Sequence, residues 1–276
     1  MSATSNTEIS AMILCFNGAA TLPEIIGSLR GQTLPLGELF VVDDGSTDDS
    51  IRIAEGAGVR TVSLGRNLGR GAARSRGVAE TKTPFLLMCD ATLRVPPQFL
   101  EIASPWMKDE KVAAVFGRVT QPPPDGVAAR WRGRHLFKMD QSGSVNHTAV
   151  LATGACLLRI EAVIAAGGFD PAQRAGEDAD LGRRLLAGGW QVVSDPALSG
   201  ECLRVDSASE VLLRYARWNS PHGMPLGAYL RQISYSLKVM VKEDLRARDL
   251  PCAVMSLLCP HFQYWAPILS RKYRAR

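Results

Sequence analysis

The chain has no Cys-x-x-Cys pair, although it carries six cysteines: Cys15, Cys89, Cys156, Cys202, Cys252 and Cys259. That scatter excludes the usual zinc spacings. Thiols set within apolar runs suit reduced core cysteines better than disulfides. Met1 to Glu8 offers neither a basic region nor an apolar stretch, so no secretory signal is expected and the expected compartment is the cytosol. Aromatic residues are few, at 7%, and hardly interleave with the basic residues before the last segment. No nucleic-acid-binding motif accompanies them, which makes nucleic acid the weakest partner class for this basic chain. No internal repeat is evident. The apolar run Leu250 to Leu269 contains two interior prolines, a histidine and a glutamine, which argue against a simple membrane-spanning helix.

What is present is ordinary globular material: 276 residues, 46% apolar and 21% charged, enough for one large domain or a domain with an appendage. The net charge of +5 is uneven: from Arg204 onward twelve Lys/Arg face five Asp/Glu, and the rest is near neutral. A basic tail fits anionic lipid, nucleic acid or solubility. Trp265 and Tyr264 precede Arg271, Lys272, Arg274 and Arg276. That grouping suits docking at a membrane surface, such as the inner face of the membrane, or onto a partner; the alternative is a helix packed on the sheet's flank.

Strand and helix patterns alternate four times in the first 90 residues. Ile9 to Phe16 is nearly continuous apolar sequence, as a central parallel strand requires. Thr21-Leu22-Pro23-Glu24 has the pattern of a capping box with proline in the first turn. Strands are expected at Leu39 to Val42, Val59 to Leu64 and Pro84 to Cys89, with helices from Asp48 to Ala57 and Gly71 to Glu80. This rhythm predicts an α/β fold with a doubly wound, mostly parallel sheet flanked by helices. Further on, a helix is expected to Met107, a strand at Val112 to Phe116, and an irregular segment over 127–150. A helix follows at Gly176 to Gly188. From Ser207 the chain reads as a helical C-terminal appendage, with Ser209 capping Val211 to Trp218 and an amphipathic stretch from Tyr229 to Arg248. The division expected is 1–205 for the α/β domain and 206–276 for the appendage.

The chemistry concentrates in a few strings. Val41-Val42-Asp43-Asp44-Gly45-Ser46-Thr47-Asp48 reads as a buried strand delivering adjacent carboxylates to its C-terminal end, where open α/β sheets bind ligands. The bland alternative is a solvated acidic turn with a helix cap. Gly65 to Gly71 lacks the Gly-Lys-Ser/Thr of a phosphate loop, and Arg74 stands where a dinucleotide fingerprint needs glycine. Gly176-Glu177-Asp178-Ala179-Asp180-Leu181 is a second carboxylate cluster; alone it also fits an acidic first helical turn.

Taken in order, these strings resemble glycosyltransferase family 2, of the GT-A fold. The resemblance rests on Asn17 after the first strand, Thr21-Leu22-Pro23, Val41 to Asp48, Asn67 to Arg74, Asp90, Pro97, Gly167-Gly168-Phe169-Asp170 and Gly176 to Leu181, and covers residues 9 to about 200. It implies an inverting enzyme that moves a sugar from a nucleotide-sugar donor, most readily a UDP-sugar, to an acceptor hydroxyl. Asp44 is then expected on the nucleobase edge with Asp43 beside it, and Phe16 and Asn17 in the same pocket. An acceptor-only carboxylate selects a base that presents an N–H. Asn67, Gly71, Arg74 and Asp90 are expected against the donor, with Arg70 or Arg74 neutralising diphosphate charge. Asp178 is expected as the general base, and Glu177 as the residue that orients the acceptor or raises the pKa of Asp178.

One departure stands out. The family's Asp-x-Asp reads Asp90-Ala91-Thr92 here, so a Mg²⁺ or Mn²⁺ ion is expected on Asp90 and Thr92, but weakly held. Arg214-Tyr215-Ala216-Arg217-Trp218 resembles the Gln-x-x-Arg-Trp element of processive members with its first residue changed, giving Arg217 and Trp218 as acceptor or diphosphate contacts; the alternative puts Leu212, Tyr215 and Trp218 in core packing. His222 is either a late metal ligand or a loop histidine. The acceptor, whether glycan, lipid-linked, protein or small molecule, is expected along 118–150 and the tail. Two other readings stay open: a pseudo-enzyme that binds without transfer, and a sugar-1-phosphate nucleotidyltransferase. The latter is disfavoured because Asn17-Gly18-Ala19-Ala20 lacks the Gly-rich basic loop it needs.

Overall fold

The computed structural model describes residues 8–123, 126–139, 143–219 and 224–269. In chain order the elements are β1 (Ile9–Cys15), α1 (Leu22–Arg30), β2 (Glu38–Asp43), α2 (Ser50–Gly56), β3 (Arg60–Ser63), α3 (Arg70–Glu80), β4 (Phe85–Asp90), β5 (Leu93–Arg94) and α4 (Phe99–Ala103). They continue with β6 (Val112–Thr120), α5 (Val127–Trp131), β7 (Ala155–Arg159), α6 (Ile160–Ala165), α7 (Glu177–Ala187), β8 (Gln191–Cys202), α8 (Ala208–Asn219), α9 (Leu226–Tyr235), α10 (Val241–Arg246) and α11 (Leu250–Leu269). The chain forms two compact units: residues 1–120 with 143–203, and residues 121–142 with 204–276.

The first unit is built on one eight-stranded sheet of order β3-β2-β1-β4-β7-β6-β8-β5. β3, β2, β1 and β4 run parallel. β7 is antiparallel to both β4 and β6, β6 and β8 are parallel, and β5 closes the edge antiparallel to β8. β1 reads as nearly continuous apolar sequence because helices cover both faces of the parallel part, and six of its seven residues are buried. α1 buries Leu22, Ile25, Ile26 and Leu29, the i, i+3, i+4, i+7 stripe of an amphipathic helix. The core gathers Met12, Phe40, Leu86, Met88, Phe116, Leu158, Leu181 and their neighbours. All six cysteines are free and buried, as core thiols.

Several local expectations are corrected. Thr21 forms no capping box: its hydroxyl donates to the Ala91 carbonyl at 2.6 Å, and Glu24 pairs instead with Arg94. β6 runs on to Thr120, and β8 is a strand that sequence patterning did not mark. The segment over 127–150 is not irregular throughout, because α5 and a π-type turn at Arg132–Leu136 occupy its first half.

The second unit is helical. Trp131, Val211, Leu212, Met240, Cys252, Met255 and Cys259 form its core. Ser207, not Ser209, caps α8: its hydroxyl accepts from the Glu210 amide at 3.4 Å, and the Glu210 carboxylate accepts from the Ser207 amide at 2.8 Å. The expected stretch from Tyr229 to Arg248 is α9, a π-type turn at Ser236–Met240, and α10.

Candidate active site

The parallel strands of the first unit end together. Cys15, the last residue of β1, is in register with Asp43, the last of β2, and Leu14 with Asp90, the last of β4. Both acids therefore stand at the carboxyl edge, where an open α/β sheet leaves room for a ligand. The chain turns sharply after β2 at Gly45, whose φ of +75° favours glycine. A Cβ there would also sit 2.3 Å from the Arg66 carbonyl carbon, so the 43–46 turn lies directly against the 66–69 loop.

Asp43 is fully buried, and one of its oxygens accepts from the amides of Gly45 (3.1 Å) and Ser46 (3.0 Å). Its other oxygen, Oδ1, has no hydrogen-bond partner among the described residues. Asp44 is 3% exposed and accepts from the amides of Leu68 at 2.7 Å and Gly69 at 3.0 Å. Burial pushes its pKa above the ordinary carboxylate range, against those two amides. In this state Asp44 braces the loop that leads into α3. Phe16 is exposed beside it. Asn17, in the left-handed region at φ 51°, accepts from the Thr47 amide at 2.8 Å and so pins the same turn.

Arg74, in α3, is the centre of the arrangement. Its guanidinium is 2% exposed, pairs with the buried Glu177 carboxylate, and donates to Asp90 Oδ1 at 3.0 Å. Arg70, one turn earlier, lies 3.5 Å from Glu177 and is one-third exposed. Arg74 Nε and Glu177 Oε2 have no hydrogen-bond partner among the described residues. Burial lowers the pKa of Arg74, while Asp90 and Asp178 act in the other direction. The loop 170–174 crosses the start of α3 so closely that a Cβ on Gly71 would meet the Asp170 and Gln173 carbonyl oxygens at 2.2 and 2.4 Å. The same loop presents α7, whose first turn carries Glu177, Asp178 and Asp180, the acid placement a helix N-terminus favours.

Asp44, Asp90 and the 177–178 pair thus meet around the first two turns of α3. Three of the expected site residues are engaged within the protein. Arg74 is enclosed by the Glu177 and Asp90 carboxylates. Glu177 is fully buried. Gly71 is a packing residue whose amide donates to the Gln173 carbonyl at 3.1 Å. Asp178 is partly exposed and accepts from the Ala179 amide at 2.9 Å, whereas Asp180 is held below the ordinary range by Arg184 and Arg183. Arg174 was not singled out from sequence, yet it contacts the side chain and carbonyl of Asn67. A basic residue two positions before the Gly176-Glu177-Asp178 string was the available signal.

Arg217 and Trp218 lie on α8 in the second unit. Leu212 is buried and Tyr215 stacks edge-on against Trp131 at 5.4 Å, but Trp218 is half-exposed and outside that core. His222 and the tail arginines from Arg271 lie outside the described residues. The expected acceptor segment, 118–150, is divided between the two units.

Asp90 and Thr92 do not make a cation site by themselves. One Asp90 oxygen is taken by Arg74, and Thr92 offers a neutral hydroxyl where a hard cation prefers anionic oxygen. Among the described residues, no group of three or more His, Cys, Asp or Glu side chains is placed to hold a metal ion.

An open α/β sheet with acids at its carboxyl edge defines the broad fold class, and solved structures specify it. The chain is similar to S. aureus TarS 1–349 in complex with UDP-GlcNAc, with a TM-score of 0.57, 15% identity, and 94% of this chain and 93% of that one covered. It is also similar to the mannosyltransferase PcManGT from Pyrobaculum calidifontis in complex with GDP-Man and Mn²⁺, with a TM-score of 0.59, 17% identity, and 99% and 79% covered. These likenesses establish the GT-A fold. The model of glycosyl transferase family 2 matches residues 10–166, and the chain belongs to that family. Among curated relatives, it is 29% identical over 167 residues to the undecaprenyl-phosphate 4-deoxy-4-formamido-L-arabinose transferase of Klebsiella pneumoniae, covering 55% of this chain and 48% of that protein. It is 27% identical over 203 residues to the pre-mycofactocin glycosyltransferase of Mycobacterium tuberculosis, covering 70% and 42%. The chain spans less than half the length of these relatives.

Proposed function

We propose that the first unit binds a nucleotide-sugar donor, most readily a UDP-sugar, at the edge formed by Phe16, Asn17, Asp43, Asp44 and Asn67, and transfers the sugar with inversion. The observation that carries this reading is the buried Arg74 linkage, which ties Asp90 to the helix turn bearing Asp178. An acceptor oxygen attacks the anomeric carbon as the bond to the β-phosphate oxygen breaks. The electron pair leaves on the nucleoside diphosphate, and the acceptor proton passes to Asp178. Asp178 suits this role because its carboxylate is partly exposed and forms no ion pair among the described residues, while Glu177 is consumed by Arg74 and Asp180 by Arg184. Arg70, partly exposed beside Glu177, is the cation best placed to meet the charge of the departing diphosphate.

The acceptor class bears on this assignment. The named activities of the Klebsiella relatives include a lipid phosphate, and a phosphate oxygen is already anionic at neutral pH and needs no base. An acceptor hydroxyl does. Asp178→Asn leaves the donor pocket intact, so donor affinity by calorimetry should persist while turnover falls by about 10²–10⁴. Retained turnover would remove Asp178 as the base and favour an anionic acceptor. A second reading, binding without transfer, is favoured by Thr92, a neutral hydroxyl where the family's motif carries a second acid. Nucleotide binding with no transfer or donor hydrolysis under any divalent cation would select it.

A further inference from the structure

We infer that the second unit docks on the surface of an anionic lipid bilayer through a face made by α9, the turn at Ser236–Met240, α10 and α11. This goes beyond the transfer reading and does not depend on it. α11 contains no Asp, Glu, Lys or Arg over its 20 residues. One side of it, with Cys252, Met255, Ser256, Cys259 and Gln263, is buried. The other side leaves Leu250, Val254, Leu257, Leu258, Trp265 and Ile268 exposed, from 43% to 67%. At 100° per residue these six fall in a single arc, so they form one stripe rather than scattered apolar residues.

α9 continues the stripe. Its Tyr229 stacks on Tyr264 of α11 with ring centroids 4.3 Å apart, and its hydroxyl hydrogen-bonds His261 Nδ1 at 2.7 Å. That contact sets the exposed Leu226 (60%) and Leu230 (57%) beside the α11 stripe, and Leu237 (51%) follows on the next turns. Exposed large apolar side chains grouped on one side of adjacent helices mark an interaction site.

The charges choose the occupant. Arg231, Lys238, Lys242 and Arg246 are exposed along the same helical run, and a shallow depression there is lined alternately by Leu237, Lys238, Val241, Lys242, Leu245 and Arg246. Of the two acids on this run, Asp244 is buried and taken by Arg134, His135 and Ser256, and Glu243 lies 3.6 Å from His135. The surface is therefore an apolar stripe edged by basic side chains, the pattern of a helix lying in the headgroup region. A symmetric contact with a second copy would bring these basic residues toward one another, which disfavours a dimer here. Among the described residues no helix is long and apolar enough to cross a membrane.

Co-sedimentation of the full chain with vesicles tests this. It should bind vesicles of phosphatidylcholine mixed with phosphatidylglycerol, bind phosphatidylcholine alone far more weakly, and be released by salt. Lys238→Ala and Lys242→Ala should each lower partitioning about fivefold, the equivalent of ~1 kcal/mol per basic residue. Leu230→Ser with Trp265→Ser should abolish binding while circular dichroism stays unchanged, because both side chains are exposed. Equal binding to neutral and anionic vesicles, no binding to either, or a dimer in light scattering that Val254→Asp dissolves would overturn the proposal.

Discussion

The two units treat buried charge in opposite ways. In the second, each described aspartate has a buried side chain that is paired several times over. Asp206 accepts from Arg132 (2.8 Å), Arg204 (3.0 Å) and Arg214 (2.6 Å). Asp244 accepts from Arg134, His135 and Ser256, and Asp249 takes Arg130 through two bonds at 2.7 and 3.0 Å. In the first unit, Asp43 at the end of β2, Arg74 in α3 and Glu177 in α7 each leave one buried polar atom without a hydrogen-bond partner among the described residues: Asp43 Oδ1, Arg74 Nε and Glu177 Oε2. Buried polar groups are almost always satisfied, so a local concentration of unsatisfied ones marks either strain or a place prepared for a ligand. The second unit uses ion pairs to fix a helical scaffold, and the first holds them at the edge where its sheet opens.

The sharpest way to break this contrast is Arg74→Met. It leaves Glu177 without its closest partner and uncouples Asp90 from α7. We expect a loss of about 3–5 kcal/mol in urea denaturation, the usual cost of breaking a buried pair from one side, and loss of transfer. A variant of wild-type stability would show that the linkage is dispensable.

Acid should separate the units next. Arg130 holds Asp249 below the ordinary carboxylate range; Asp244 is lowered too, where hydrogen bonds from His135, Ser256 and Arg134 outweigh its burial. Their stabilisation is complete above the ordinary aspartate pKa of about 4 and is lost as pH falls through the depressed values. Asp44 has the opposite sign: its pKa is raised by burial, so its cost is present above the raised value and is relieved as pH falls. Amide exchange followed from pH ~4 downward should therefore show the second unit opening before the strand ends of the first. Opening in the reverse order would contradict these pairings.

A smaller effect sharpens the contrast from the other side. Thr92→Asp restores an anionic oxygen near Asp90, and should raise Mn²⁺ affinity in the presence of a nucleoside diphosphate by about tenfold, read by electron paramagnetic resonance. No gain would mean that Arg74 occupies Asp90 too fully for any cation to share it.

Much of this was legible in the sequence, and the misses have physical causes. β1, β2 and β4 announced themselves because strands buried on both faces are continuous apolar runs, and α7 because its glycine and acids mark a helix start. β8 was hidden by Pro196 and Gly200; the pairing of β6 with β8 jumps from Phe116↔Ser194 to Arg118↔Ser199, a bulge that absorbs the proline. α5 was missed because its stripe is anchored by one buried residue, Trp131, whose partner Ser256 is 125 residues away. The acids of the site could be picked out by resemblance. The role of Arg74 could not, because an arginine in an Ala- and Arg-rich helix looks solvated until Glu177, 103 residues later, closes over it.

Hydrogen exchange of the full chain, with and without UDP and GDP, tests the central claim most directly. The account predicts that one of these nucleotides slows exchange at residues 43–47, 67–74 and 176–180 of the first unit and leaves α9 to α11 unchanged. Protection confined to the second unit, or absent at the strand ends with both nucleotides, would contradict it.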